Sequence, residues 1–439
     1  MSIKYFLIEV ERFKKKAILS IELLHLRVFG HAMSDEMRKF LRNISWSFGA
    51  GLLSAVIMFS ANILAGRFLG PSEFGRYNFI LSLATSVTFF FLLGNNQSSV
   101  RYISDRKHSA KDGRFLSALV FLTAVQSVAV LVITNIYNAQ ISERFGISKD
   151  ILQLVLFLGL TFSFKELFDS FVRSLGLFKE QSLIKVGDAL LVLASFTVFY
   201  FNYKNTPSSF HYAISMAIGA IFSIAAFFRL VRSRFSRFKT EEIVTIFHYN
   251  KFLILGGFSG LIMSLEKVFI GKYVSMESLG IYSAYYASSQ MIISNLGIIF
   301  MNIFWPTVIK NKDSLSSVLT KLTRIFFRYF PIWIVLNFIG GSFFLSLYGR
   351  QYTFDLALLG LFSTASLLNI FFFVFMSIMN IDKIHFSIIV NTVVYALLVS
   401  SIIVFRSIPV YLVSQIVVYL VGTLCVRGVI MRDIARKNI

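Results

Sequence analysis

GRFLGPSEFGRY, residues 66–77, recurs as GKYVSMESLGIY, residues 271–282, an offset of 205 positions in a chain of 439. The register sets Gly66 on Gly271, Arg67 on Lys272, Phe74 on Leu279, Gly75 on Gly280 and Tyr77 on Tyr282. Each copy closes one long apolar run and opens the next. Each therefore reads as a tight turn between two membrane helices, with glycine where the chain changes direction. A second echo lays residues 174–187, SLGLFKEQSLIKVG, on residues 378–391, IMNIDKIHFSIIVN, with Lys179 on Lys383 and Ile184 on Ile388. Two echoes at nearly one offset point to two homologous halves in the same orientation, which is a transporter's signature more than an enzyme's.

Composition places those halves in a bilayer. The chain is 56% hydrophobic and 15% charged, with 50 phenylalanines and a mean hydropathy of +0.72, more apolar surface than a soluble domain of this length could bury. Its single cysteine, Cys425, lies inside an apolar run, so neither a disulfide framework nor a thiolate metal site is available. A formal charge of +21 would suit a nucleic-acid binder, but the basic residues fall between the apolar runs and form no basic domain. No nucleic-acid partner is expected.

Residues 1–43 precede the first apolar run and carry Lys4, Arg12, Lys14, Lys15, Lys16, Arg27, Arg38, Lys39 and Arg42. Charge interrupts their apolar residues too often for a signal-peptide core. They read either as a basic amphipathic helix on an anionic membrane face or, with Met33 as the start, as a short cytoplasmic lead behind an upstream extension, residues 1–32. Beyond them, twelve runs are long enough, at about 20 residues, to cross ~30 Å of hydrocarbon. They lie near 44–69, 78–100, 115–137, 150–171, 182–201, 211–230, 249–271, 280–304, 323–347, 355–378, 386–405 and 408–427.

The connections between runs alternate in charge. One set holds Arg101, Arg106, Lys107, Lys111 and Arg114, then Arg229, Arg232, Arg234, Arg237 and Lys239, and ends with Arg427, Arg432, Arg436 and Lys437. The other set holds one or two bases per connection, among them Arg67, Arg144, Lys272 and Arg406. The bias toward one side predicts cytoplasmic termini and an even number of spans. The expected fold is thus an all-α integral membrane protein of twelve transmembrane helices in two six-helix bundles. Residues 44–238 and 239–430 form the bundles, between a lead (1–43) and a tail (431–439).

No connection is long enough to be a catalytic domain. The outer segment from Asn138 to Lys149 is among the longest, and no P-loop, G-x-G-x-x-G or H-E-x-x-H motif occurs. The six histidines are scattered without an i, i+4 pair, so no metal site is expected. The chain does not read as an enzyme and implies no cofactor.

The chemistry that is left lies inside the membrane, where an ionisable group costs at least ~2.5–3.5 kcal/mol at mid-depth and tends to face a cavity or a partner. Glu266 and Lys267, in the seventh run, point about 100° apart and each needs a partner on another helix, a lumen or a ligand. Lys267 reads as an anion-attracting base or as one arm of an interhelical salt bridge. Glu266 reads as its counterweight or as the group that takes up H+ or Na+. The repeat places Asn62 on Lys267, while Arg67 and Lys272 sit one turn nearer the surface, as cavity cations or as interfacial anchors. In the fourth run, Lys165, Glu166, Asp169 and Arg173 make an i, i+4 stripe, read as self-paired or as a vestibule in which Arg173 meets a phosphate. Asp188 reads as a buried helix-end carboxylate or as a protonation site. The amides Asn95, Asn96 and Gln97 at the end of the second helix, and Asn295 and Asn302 in the eighth, either join helices or bind sugar hydroxyls.

LGPSEFGRYNFILSLA (69–84), the stretch 265–308 and YGRQY (348–352) resemble the polysaccharide flippases of the multidrug/oligosaccharidyl-lipid/polysaccharide exporter superfamily, which include the O-antigen and capsule repeat-unit flippases. The similarity covers about residues 38–430. It implies a MATE-like pair of six-helix bundles around a central cavity. It also implies an undecaprenyl-diphosphate-linked oligosaccharide substrate, carried from the inner to the outer leaflet by alternating access. A multi-pass place in the cell inner membrane follows, beside a polysaccharide polymerase and a chain-length regulator. A drug or small-cation antiporter of the same fold is the alternative, and a membrane polymerase a more distant one.

Overall fold

The computed structural model describes residues 35–104, 112–203, 206, 208–291, 293, 315–382 and 384–437, and every regular element among them is helical. The amino-terminal lead through residue 34 and Asn302 lie outside the described residues. One helical stretch, Asp35–Leu92, is interrupted at Gly70 and gives α1 (35–69) and α2 (71–92). The first half continues with α3 (Asn95–Ser104), α4 (Asp112–Ile136), α5 (Asn138–Phe145), α6 (Lys149–Ser174), α7 (Phe178–Tyr203) and α8 (Ser209–Val231). The second half has α9 (Thr240–Ser264), α10 (Glu266–Tyr273), α11 (Met276–Tyr286), α12 (Leu315–Ser346), α13 (Leu356–Asp382), α14 (Ile384–Phe405) and α15 (Ile408–Lys437).

Ten described segments are long and apolar enough to cross a membrane. The first, Gly49–Leu92, has 44 residues. Unbroken it would run ~66 Å, about twice the hydrocarbon thickness, and its helical path is interrupted near the middle, at Gly70. Gly70 has φ 74° and ψ 169°, a region open in practice to glycine alone, and Pro71 follows at the first helical position, where its missing N–H costs nothing. In the second half the same register position is Ser275, which is extended (φ −171°, ψ 163°) and accepts a hydrogen bond from the Ser278 amide at 3.0 Å. The predicted turns are therefore present. Their reversal points, Gly70 and Ser275, fall between the glycines that the repeat aligns.

Two other expectations change. The segment from Asn138 is a short helix, α5, closed by Gly146 in the left-handed conformation. The second helix ends at Leu92, not past Gln97. Leu93 and Gly94 both take positive φ and redirect the chain, so Asn95 opens α3.

Apolar side chains stand open to the outside at helical spacing. Val125, Val128, Val132 and Ile136 make one exposed face of α4, and Ile332, Val335, Ile339 and Phe343 one face of α12. Leaving a side chain of this kind in water forfeits about 1.5–3 kcal/mol, so these faces belong in lipid. The main core joins both halves and gathers where α1, α2, α10 and α11 meet the ends of α12 and α13, around Phe74, Tyr282, Tyr285, Tyr348 and Phe362.

The contact between halves has a two-fold character. A side chain at Gly75 would strike the carbonyl of Met276, and one at Gly280 the carbonyl of Pro71. Met276 is the repeat partner of Pro71, as Gly280 is of Gly75, so a single contact is made twice. Away from this crossing, α9 of the second half lies along α2, α3 and α4 of the first. Ser86 and Ser264 share a 2.7 Å hydrogen bond, Gly257 abuts Phe89, and Gly94 abuts Leu253.

Candidate functional site

The helical path breaks at Leu265, between α9 and α10, and the next two residues are Glu266 and Lys267. Their expected divergence is realised. Glu266 turns into the second half, where Tyr282 donates a hydrogen bond to it and the hydroxyls of Tyr286, Tyr395, Tyr411 and Tyr419 stand within electrostatic reach. Lys267 turns toward the first half. Its Nζ donates to Asn78 Oδ1 on α2 at 3.3 Å and lies 4.8 Å from the centroid of the Tyr286 ring. Among the described residues no carboxylate lies within ion-pair distance of it. Both side chains keep partial exposure. Held by an amide and a ring face, with the diverging Glu266 carboxylate within electrostatic reach but not paired to it, the ammonium keeps donor capacity for an anion.

Asn62, the repeat partner of Lys267, makes its own contact across the halves, donating at 3.4 Å to the hydroxyl of Tyr348 at the end of α12. The other predicted cations are elsewhere. Arg67 is exposed beside the Gly349 turn. Lys272 is exposed too and donates to the carbonyl of Arg144, at the end of α5, beside the rings of Phe145 and Tyr273. Arg173 is exposed at the far end of α6. The fold does not gather these three around Lys267.

The stripe on α6 pairs outward, not with itself. Lys165 bonds Asp188 of α7, Lys185 sits 3.4 Å from Asp169, and Gln181 donates to Asp169 at 2.8 Å. In a packed bundle this face of α6 lies on α7, and charges there meet the neighbouring helix before they can reach one turn along their own. Asp188 is buried, with one carboxylate oxygen on Lys165 and the other against Gly219 without a hydrogen-bond partner.

Asn95 is fully buried and saturated. Its amide donates to Thr123 at 2.8 Å and Gln126 at 2.9 Å, and its carbonyl accepts from Asn250 of α9 at 2.6 Å, while Asn250 in turn accepts from Ser98. Asn96 donates to Glu166 at 2.5 Å. The cluster ties α9 to the first half. Among the described residues no group of three or more His, Cys, Asp or Glu could hold a metal ion.

Sequence reasoning missed Asn78, Asn250 and the tyrosine ring about Glu266. Tyr282 alone carried a signal, as the last residue of the repeat. The others belong to helices remote in sequence, and their approach depends on packing.

A family model described as polysaccharide biosynthesis protein matches residues 40–312. The chain belongs to that family. No curated protein matches it. Among solved structures, an inward-facing multidrug resistance MATE family transporter of the MOP superfamily aligns over 89% of this chain and 96% of its own, with a TM-score of 0.62 at 14% identity. An outward-facing structure of a transporter so described aligns over 90% and 96%, with a TM-score of 0.58 at 15% identity. A MOP superfamily transporter from Pyrococcus furiosus aligns over 89% and 93%, with a TM-score of 0.53 at 14% identity. At such identity the likeness carries the fold alone. The fold is MATE-like, and the chain is a multi-pass membrane protein of the polysaccharide biosynthesis family.

Proposed function

We propose that this protein is a flippase that moves undecaprenyl-diphosphate-linked oligosaccharide repeat units, of the O-antigen or a related surface polysaccharide, from the inner to the outer leaflet by alternating access. It acts without catalysis, on twelve spans with both termini in the cytoplasm of a cell bounded by this inner membrane. A diphosphate cannot cross hydrocarbon unaided, because an unpaired buried anion is prohibitive. The observation that carries the reading is Lys267, a partly exposed cation between the halves, inside a spanning segment and with no carboxylate within ion-pair distance among the described residues. Lys267 is the diphosphate contact, and Arg67, Lys272 and Arg173, at the two ends of the path, meet the substrate on entry or departure. Asn62 and Asn96, both partly exposed, are the amides open to the sugar, and Asn302 is proposed with them. Glu266 is the coupling carboxylate, held by a phenolic donor, Tyr282, that a bound H+ or Na+ would displace; Asp188 is the second candidate. The sugar is handed onward to a polymerase and a chain-length regulator.

The test is complementation of a flippase-deficient strain with defined repeat units, comparing the native chain with Lys267→Ala at equal membrane abundance. Surface glycan should return with the native chain and fail with the variant. Full assembly with Lys267→Ala would remove the diphosphate contact, and no assembly with any repeat unit would remove the substrate class.

A further inference from the structure

A crevice of about 430 Å³ opens on the flank of the first half, remote from Lys267, between α4, α6 and α8. Its walls are Val120, Phe121, Phe168, Phe228 and Phe235, with Ser117 at one side and Arg232 at the rim. The volume falls within the ~300–1,000 Å³ usual for ligand-holding clefts. The aromatic walls are braced by one another. Phe168 and Phe228 pack edge to face at 5.8 Å, Phe228 and Phe235 lie 6.0 Å apart, and Phe238 covers Phe121 at 5.3 Å. The chain past α8 is pinned over the foot of α4, where the Ser236 amide donates to the Gly113 carbonyl at 3.3 Å, so the rim is a fixed feature.

The charge at the rim is of one sign. Arg229, Arg232, Arg234 and Arg237 are all exposed, and among the described residues none has a carboxylate within ion-pair distance. Glu242, the nearest acid in sequence with a defined partner, is taken by Arg114 at 3.9 Å. An apolar slot beside exposed Phe121 and Phe228, closed by a cation at the level where the span ends, has the two-part character of an anionic phospholipid: acyl chain below, phosphate above.

We infer that this crevice is a binding site for an anionic phospholipid of the leaflet at the Arg232 end, with the phosphate on Arg232 and one acyl chain among the four phenylalanines. The lipid would clamp α4, α6 and α8 together from outside, at a place the transported substrate does not occupy.

The test uses the full chain in detergent, titrated with phosphatidylglycerol or phosphatidylethanolamine and read by native mass spectrometry. Phosphatidylglycerol should give one adduct retained above the rest, and Arg232→Gln should weaken it by about fivefold, the worth of one basic residue at an anionic surface. Ser117→Trp, which fills the slot and keeps the arginine, should weaken it as well, while Arg406→Gln, at another part of the molecule, should not. Each variant is compared at the same monodisperse elution. Equal retention of the two lipids, equal loss in Arg406→Gln, or no loss in Ser117→Trp would overturn the assignment. So would displacement of phosphatidylglycerol by undecaprenyl phosphate at equal or lower concentration, since the slot would then belong to a substrate tail.

Discussion

Gly280 lays its α-carbon on the carbonyl of Pro71, and the repeat returns the same relationship as Gly75 on the carbonyl of Met276. Backbones this close leave no room for a methyl group, and neither carbonyl belongs to a flexible side chain that could step aside. Gly75→Ala and Gly280→Ala should each lower stability by about 1–3 kcal/mol or more, through overpacking against backbone. Gly260→Ala, where an added carbon meets open space, should be neutral or slightly stabilising. Thermal unfolding of the purified variants in one detergent measures the difference, and equal midpoints for Gly280→Ala and Gly260→Ala would refute the close crossing.

Gly70 is constrained differently. An added β-carbon there would meet the Gln351 amide at 3.3 Å, a tight contact but with the end of a side chain and not with backbone, and the backbone stands at φ 74°, ψ 169°. Gly70→Ala should therefore cost about 1–3 kcal/mol in strain alone. Ser275→Ala, at the matching position, should cost about 0.5–2 kcal/mol through loss of a helix cap. Unfolding midpoints rank the two, and Ser275→Gly should recover most of the second loss but supply nothing that Gly70 lacks.

The turn at 66–77 shows how far the residues themselves could be read. Apolar run length and the echo at 271–282 located both breaks in the helical path, because those signals are local. They could not say which residue reverses the chain, since Gly66, Gly70 and Gly75 look alike in a list. Only packing shows that Gly75 is a contact and Gly70 a hinge. The partners of charge were harder still. The i, i+4 rule offered Lys165 to Asp169, but it describes a helix alone in water, and α6 has α7 against it. Glu266 and Lys267 were found because two charges in an apolar run are conspicuous. The tyrosines around Glu266 were not, because a tyrosine in a membrane helix is equally at home at an interface.

The pair between Lys165 and Asp188 is buried on the acid's side, and its loss should be asymmetric. Lys165→Met leaves a buried carboxylate already short of one partner, and should cost about 3–5 kcal/mol or reduce the yield of folded protein. Lys165→Met with Asp188→Leu removes the stranded charge and should regain much of that loss. Comparing unfolding midpoints of the single and double variants decides it, and additive losses would mean that the two groups do not depend on each other.

Asn95 joins α3, α4 and α9, so its removal should loosen the tie between α9 and the first half without touching Lys267. Asn95→Leu should cost about 1–2 kcal/mol, the range for interhelical hydrogen bonds in membranes, and Asn250→Leu a similar amount. The double variant should cost less than the sum, because the two side chains share one bond. Protease sensitivity of the α8–α9 connection, compared with that of the α5–α6 connection, reads where the loosening falls.

Asn78 gives the sharpest handle on Lys267, because it is the one described group from the other half that the ammonium touches. Its amide nitrogen is spent on the carbonyl of Phe74 at 2.9 Å, which aims the oxygen at Lys267. Asn78→Asp would place a carboxylate at that spot and neutralise the cation by a pair that draws strength from the low dielectric around it. Asn78→Ala would leave the cation unpaired and available. If Lys267 receives a diphosphate, Asn78→Asp should suppress surface glycan assembly about as fully as Lys267→Ala, whereas Asn78→Ala should retain most of it. Membrane abundance and unfolding midpoint must match across the three. Should Asn78→Ala fail while Asn78→Asp works, the contact would be a strut between the halves, and the anion-receiving role of Lys267 would have to be given up.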